Sequence, residues 1–126
     1  MWSDNYYYLN IYKDEFLSEK VSTQKILEFL NEISDLENIG DFRFQNKEHF
    51  PFIELSLLDA KSIDNWNELD SSFDDTNLIT IVCTKKNHDD YKVIEKVLIK
   101  ISSFLKWTLV DEETDEGVEN YIIWKP

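Results

Sequence analysis

A chain of 126 residues with 42% hydrophobic and 14% aromatic content is one domain by length, able to bury roughly 65% of its extended surface in a single core. Its formal net charge of −13 and pI of about 4.4 exclude a phosphate-backbone ligand, which requires a basic surface, and oppose binding to anionic lipid. One cysteine excludes an internal disulfide, and no apolar run approaches the ~20 residues of a membrane-spanning helix.

Tyr6-Tyr7-Tyr8-Leu9-Asn10-Ile11-Tyr12 reads as the first strand, with Tyr7, Leu9 and Ile11 on one face and Tyr6, Tyr8, Asn10 and Tyr12 on a polar-tipped other. The preceding Met1-Trp2-Ser3-Asp4-Asn5 has neither the basic start nor the apolar run of a signal peptide, so the expected address is the cytoplasm. Ser22 is the expected N-cap of a helix that carries Ile26, Leu27, Phe29, Leu30 and Ile33 at a period near 3.6, runs to about Leu36 and stops at Gly40. Asp41 to Gln45 alternates, and Phe52 to Leu57 follows Pro51; together they predict a hairpin with the proline at a strand's beginning. Periodicity fails from Leu58 to Thr76, where Ser62 to Leu69 supplies at most one or two helical turns anchored by Ile63, Trp66 and Leu69.

The clearest signal lies between Asn77 and Lys106. Leu78-Ile79-Thr80-Ile81-Val82-Cys83 is a β-branched run of strand length, followed after a short turn by Ile94, Leu98, Ile101 and Leu105 at helical spacing. That apolar stripe requires a sheet to cover it. Trp107 to Val110 then reads as a strand, Asp111 to Glu119 as a loop, and Tyr121 to Trp124 as a last strand. The expected fold is α+β, with two main helices on one face of a largely antiparallel sheet. The nearest layout is ferredoxin-like; the strand, helix, hairpin order of residues 6–58 and 77–124 also fits a duplicated βαββ unit.

Acid is concentrated rather than spread. Glu54, Asp59, Asp64, Glu68, Asp70, Asp74 and Asp75 face Lys61 alone within residues 54–77, and Asp111, Glu112, Glu113, Asp115, Glu116 and Glu119 face no base within residues 109–120. Each segment carries −6, so the rest of the chain is nearly neutral. Clustered like charges within a Debye length of ~8 Å repel, and something must offset them. The candidates are a basic partner, a cation, or the chain's own Lys92, Lys96 and Lys100, four apart on one stripe of the second helix.

Catalytic and metal chemistry finds little footing. Cys83 alternates in phase with Ile79 and Ile81 as a core residue, and His88-Asp89-Asp90 has the composition of a helix start. His49, Cys83 and His88 lack zinc-site spacing, and the Asp111 to Gly117 run places its glutamates and glycine wrongly for an EF-hand. No phosphate-binding loop, serine elbow or His-Glu-x-x-His occurs, so the expectation is a chain with no catalytic residue, cofactor or metal.

Small size, acidity, four Trp and six Tyr, with Asp64, Trp66, Glu68, Asp70, Asp74 and Asp75 in one segment and Asp111, Glu112, Glu113, Asp115 and Glu116 in the other, resemble the immunity proteins of bacterial contact-dependent inhibition and related polymorphic toxin systems. The resemblance implies binding of a cognate basic toxin domain, commonly a nuclease, with those carboxylates steering encounter and Trp66 as a desolvated anchor. Two other classes fit the same composition: a DNA mimic that inhibits a nuclease or restriction system, and a small enzyme using convergent carboxylates or Cys83 with His88.

Overall fold

A computed structural model describes residues 5–40, 42–60 and 74–126. The first strand, β1 (Tyr6–Tyr12), is followed by a short β2 (Val21–Ser22), helix α1 (Thr23–Asn31), and strands β3 (Leu36–Gly40), β4 (Arg43–Asn46) and β5 (Ile53–Leu58). A short β6 (Asp75–Thr76), β7 (Leu78–Thr84), α2 (His88–Leu105), β8 (Thr108–Glu113) and β9 (Glu119–Trp124) complete the order. The main sheet has seven strands in the order β3-β4-β5-β7-β1-β8-β9, with every neighbouring pair antiparallel.

Within it, β8-β1-β7-β5 with α1 and α2 is a ferredoxin-like core, widened by the β3-β4 hairpin on one side and β9 on the other. The shared strand, helix, hairpin order does not make the halves equivalent. After α1 the chain enters at the far edge and works inward through β3, β4 and β5; after α2 it enters beside β1 and works outward to β9.

Both helices cover one face of the sheet. Leu9, Ile11, Leu55, Ile81 and Leu109 from the strands and Ile26, Leu30, Ile94, Leu98 and Ile101 from the helices belong to one buried cluster. Cys83 lies in it, and the in-phase alternation with Ile79 and Ile81 is the reason. α2 forms where its stripe predicts because its ends are well capped. Asn87 Oδ1 accepts the N–H groups of Asp89 (2.8 Å) and Asp90 (3.3 Å), those aspartates complement the dipole, and Lys106 closes the far end in the left-handed region at φ 60°.

α1 differs from expectation. Ser22 occupies the cap position, although its side chain makes no cap bond, and the helix ends at Asn31 rather than near Leu36. Ile33 and Leu36 are buried as the periodicity demands, but two tight turns place them, with Ile33 N–H donating to Leu30 and Leu36 N–H to Ile33. An i, i+3 recurrence of apolar residues does not separate a helix from successive turns. Gly40 ends β3 instead of the helix, at φ +105°, where only glycine sits without strain.

The second face is covered at one end. Tyr12, Leu17, Leu58, Ala60, Leu78 and Val110 form a smaller buried cluster there, so Tyr12, and Asn10 beside it, lie in the interior rather than on a polar-tipped surface. Thr23 and Thr76 share a buried 2.8 Å hydroxyl contact where β2 pairs with β6. The Ser62 to Leu69 turns expected from sequence lie outside the described residues. Among those described, no helix is long and apolar enough to cross a membrane.

Candidate functional site

The acidic C-terminal segment is a β-hairpin rather than a loop. β8 extends through Glu113, so Asp111, Glu112 and Glu113 are strand residues that alternate between the two faces of the sheet. The chain reverses at Thr114 to Gly117. Gly117 N–H donates to Thr114 O and Thr114 N–H to Val118 O, both at 2.9 Å, while Gly117 takes φ +85°. This three-residue hairpin closes on a left-handed glycine, which fixes the register of β9.

Lys85 is the cation that meets this hairpin. Its Nζ lies 2.7 Å from Asp115 Oδ1 and 5.1 Å above the Tyr7 ring, with the lysine side chain only 11% exposed. Tyr7 in turn packs on Tyr91 with ring centroids 4.5 Å apart. The hairpin tip is thereby tied to the β7–α2 turn. The expected ridge does not do this: Lys96 and Lys100 line a cleft of about 250 Å³ with Glu32 and Asp35 at the end of α1.

Asp111 pairs with Leu9 and is 7% exposed, so it faces the helix-covered side. Its carboxylate does not belong to the surface a partner would meet, because strand alternation turned it inward. Burial raises its pKa, partly offset by the Glu113 N–H that it accepts at 3.1 Å and by the Lys85 charge. A raised acid holds its proton more tightly folded than unfolded. It therefore favours folding below the ordinary 3.8 and becomes a cost as pH rises through the folded value. Asp111→Asn, which keeps the acceptor, should unfold at higher urea than the wild type at neutral pH, with the gap closing in acid. A variant less stable than wild type at neutral pH would refute the sign.

The outer carboxylates are better placed. Glu116 and Glu119 are exposed and Asp115 remains open on the side away from Lys85; Glu113 is half-buried and Glu112 exposed. Beside them Val118, Tyr121 and Ile122 are exposed apolar side chains, Tyr121 at 53% and Ile122 at 50%. β9 is an edge strand, paired among the described residues with β8 alone.

Next to that edge a groove of about 280 Å³ is lined by Phe16, Val110 and Ile122 together with the charged Lys13, Glu15 and Lys125. Phe16 is 88% exposed on a turn held by Asp14, whose Oδ1 accepts the N–H groups of Phe16 (3.0 Å) and Ser18 (3.2 Å). The Ser18 hydroxyl bonded to Asp14 Oδ2 at 2.5 Å leads the causes that lower that aspartate's pKa. Phe16, Val118, Tyr121 and Ile122 were not singled out as site residues from sequence. The signal for Phe16 was the Asp14-x-x-x-Ser18 spacing of a self-bonded turn around an aromatic.

Of the other acidic segment, the described residues Asp59, Asp74 and Asp75 lie away from this hairpin. Leu58↔Leu78 and Tyr12↔Thr108 mark one end of the sheet, with Asp74 and Asp75 just beyond it; Tyr7↔Cys83 and Leu9↔Asp111 lead to the other, where the hairpin turns. The Asp74 main-chain oxygen accepts the Thr23 N–H at 2.9 Å and Asp75 pairs with Ser22 through the backbone, so the two residues lie beside the start of α1 with their side chains exposed. Asp59 pairs with Lys20 at 2.9 Å, and Glu54 with Arg43. Asp64, Trp66, Glu68 and Asp70 lie outside the described residues.

For the Cys83 and His88 alternative, burial and the Asp111 charge push the thiol up to about 12, while His88 is exposed at the start of α2. A buried thiol held neutral is a poor nucleophile. No protein-family model matches the chain, and no curated protein or solved structure matches it.

Proposed function

We propose that this chain is a partner-binding protein of the immunity type, acting in the cytoplasm to neutralise a cognate basic toxin domain, a nuclease by preference. The observation that carries the reading is the β8–β9 hairpin, where Glu116 and Glu119 stand beside exposed Val118 and Tyr121, while Lys85 is matched to Asp115. Charge there would steer a cationic partner, and the apolar side chains would slow its release. Asp74 and Asp75, at the opposite end, take no part. A DNA mimic draws less support, because the exposed carboxylates of the hairpin gather at one tip instead of following a line like phosphates.

The test begins with the product of the neighbouring upstream reading frame, co-expressed with this chain. Cells should survive a toxin domain encoded there only when the chain is present. In stopped-flow mixing with that domain, the double variant Glu116→Lys and Glu119→Lys should lower the association rate by about tenfold or more at low ionic strength, with the difference shrinking in high salt. Association rates equal for variant and wild type at low salt would remove the hairpin from the interface.

A further inference from the structure

We infer that β9 is a docking edge, completed by an extended segment of a partner polypeptide that adds as one more strand, basic toward the hairpin tip and apolar where it passes the Phe16 groove. This rests on the partner-binding reading and states how the partner engages.

Both outer pairs of the main sheet carry a register break, between Asn38 and Gly40 at β3 and between Leu109 and Val110 where β9 runs beside β8. At β3 the Asn38 side chain also takes the Gly40 N–H at 2.8 Å, which closes that edge further. At β9 the break confines an added strand to a short ladder. At the β9 edge the run Tyr121–Trp124 follows Asn120, whose φ of 52° turns the strand, and it carries uncharged side chains throughout. Edge strands are normally blunted by lysine, proline, inward charge or a bulge; Tyr121 to Trp124 has only the bulge, with Lys125 and Pro126 directly after it. Such an edge supplies main-chain hydrogen bonds, and the pockets beside it select alternate side chains of the incoming strand.

Both selectors are present. Val110 and Ile122 pair across β8 and β9 and, with Phe16, line the groove on the sheet face away from the helices. Alternate residues of an added strand would point into it, where an apolar side chain meets Phe16, Val110 and Ile122 between the charged Lys13, Glu15 and Lys125. Toward the tip, Glu119 and Glu116 favour lysine or arginine on the same segment. A second copy of this chain is a poorer occupant, since it brings the same net charge of −13.

The test uses short capped peptides of alternating lysine and valine, the same peptides N-methylated at alternate backbone positions, and glutamate–valine counterparts, with amide hydrogen exchange of the intact chain as readout. At low ionic strength the lysine–valine peptide should slow exchange in β9 by about tenfold at saturation, while the N-methylated and acidic peptides should not. Phe16→Ala, at a fully solvated position, should weaken the peptide severalfold without moving the unfolding midpoint. Equal binding of the methylated peptide with β9 exchange unchanged would overturn strand addition and leave the charged-surface reading standing. No binding of any basic peptide would sink both. Concentration-dependent protection of β9 without peptide, with a dimer in sedimentation, would assign the edge to self-association and overturn the inference.

Discussion

Trp107→Ala should cost about 3–5 kcal/mol, the range for removing a large aromatic from a packed interior. Trp107 is 0% exposed and is the largest fully buried side chain among the described residues. It sits immediately after the α2 cap, where its N–H donates to Ser102 O at 3.0 Å, and its indole Nε1–H reaches Glu19 Oε1 at 2.8 Å. One residue therefore joins the end of α2, the start of β8 and the segment leading to α1. Against a total stability on the order of 5–15 kcal/mol, the loss approaches a large share of the whole. Trp107→Phe separates the two contributions, because it keeps most of the packing and loses only the indole donor, at about 1 kcal/mol. Urea unfolding of both variants reads this directly. An alanine variant no weaker than the phenylalanine one would mean that the site collapses around the gap.

The second large effect is expected at Asn77. This side chain is buried and bonds the Ala60 main chain twice, accepting its N–H at 2.8 Å and donating to its carbonyl at 2.9 Å. Its own N–H donates to Leu58 O at 3.0 Å. Asn77→Ala removes the side-chain partner of both Ala60 groups, so about 2–6 kcal/mol should be lost, at roughly 1–3 for each orphaned group. Asn77→Asp keeps the acceptor but opposes carboxylate oxygen to the Ala60 carbonyl. It should be comparably damaged at neutral pH and partly recover in acid, where the carboxyl gains a proton to donate. Hydrogen exchange at the Ala60 amide is the local readout, and protection unchanged in Asn77→Ala would contradict the clamp.

These two residues show where sequence reading reaches and where it stops. β1, β7 and α2 were legible because their patterns are long and agree with their caps: alternation over Tyr6 to Tyr12, a β-branched run over Leu78 to Cys83, a stripe over Ile94 to Leu105. β3 was hidden inside the expected end of α1, since Leu36 satisfies a helical period and a strand start equally. The acidity of Asp111, Glu112 and Glu113 read as loop, yet pairing with β1 and β9 holds this run in a strand regardless of its low intrinsic propensity. Asn77, read only as a boundary, is a buried clamp because of a partner seventeen residues away that no local pattern announces. The charge concentration was visible in sequence; the separation of Asp74 and Asp75 from the β8–β9 hairpin, and the choice of Lys85 over Lys92, Lys96 and Lys100 as the hairpin's counter-ion, depend on strand order.

Strand order also sets the timetable of synthesis. β1 emerges from the ribosome before the other strands described, yet both of its sheet neighbours, β7 and β8, are made after most of the chain. The nascent β3-β4-β5 meander can pair locally, while Leu9 and Ile11 wait for residues 78–84 and 108–113 before they are enclosed. Late closure of this kind slows folding and prolongs exposure to aggregation and proteolysis. A product truncated ahead of β8 would leave β1 paired on one side alone, with the edge at Leu9 to Tyr12 open to other chains.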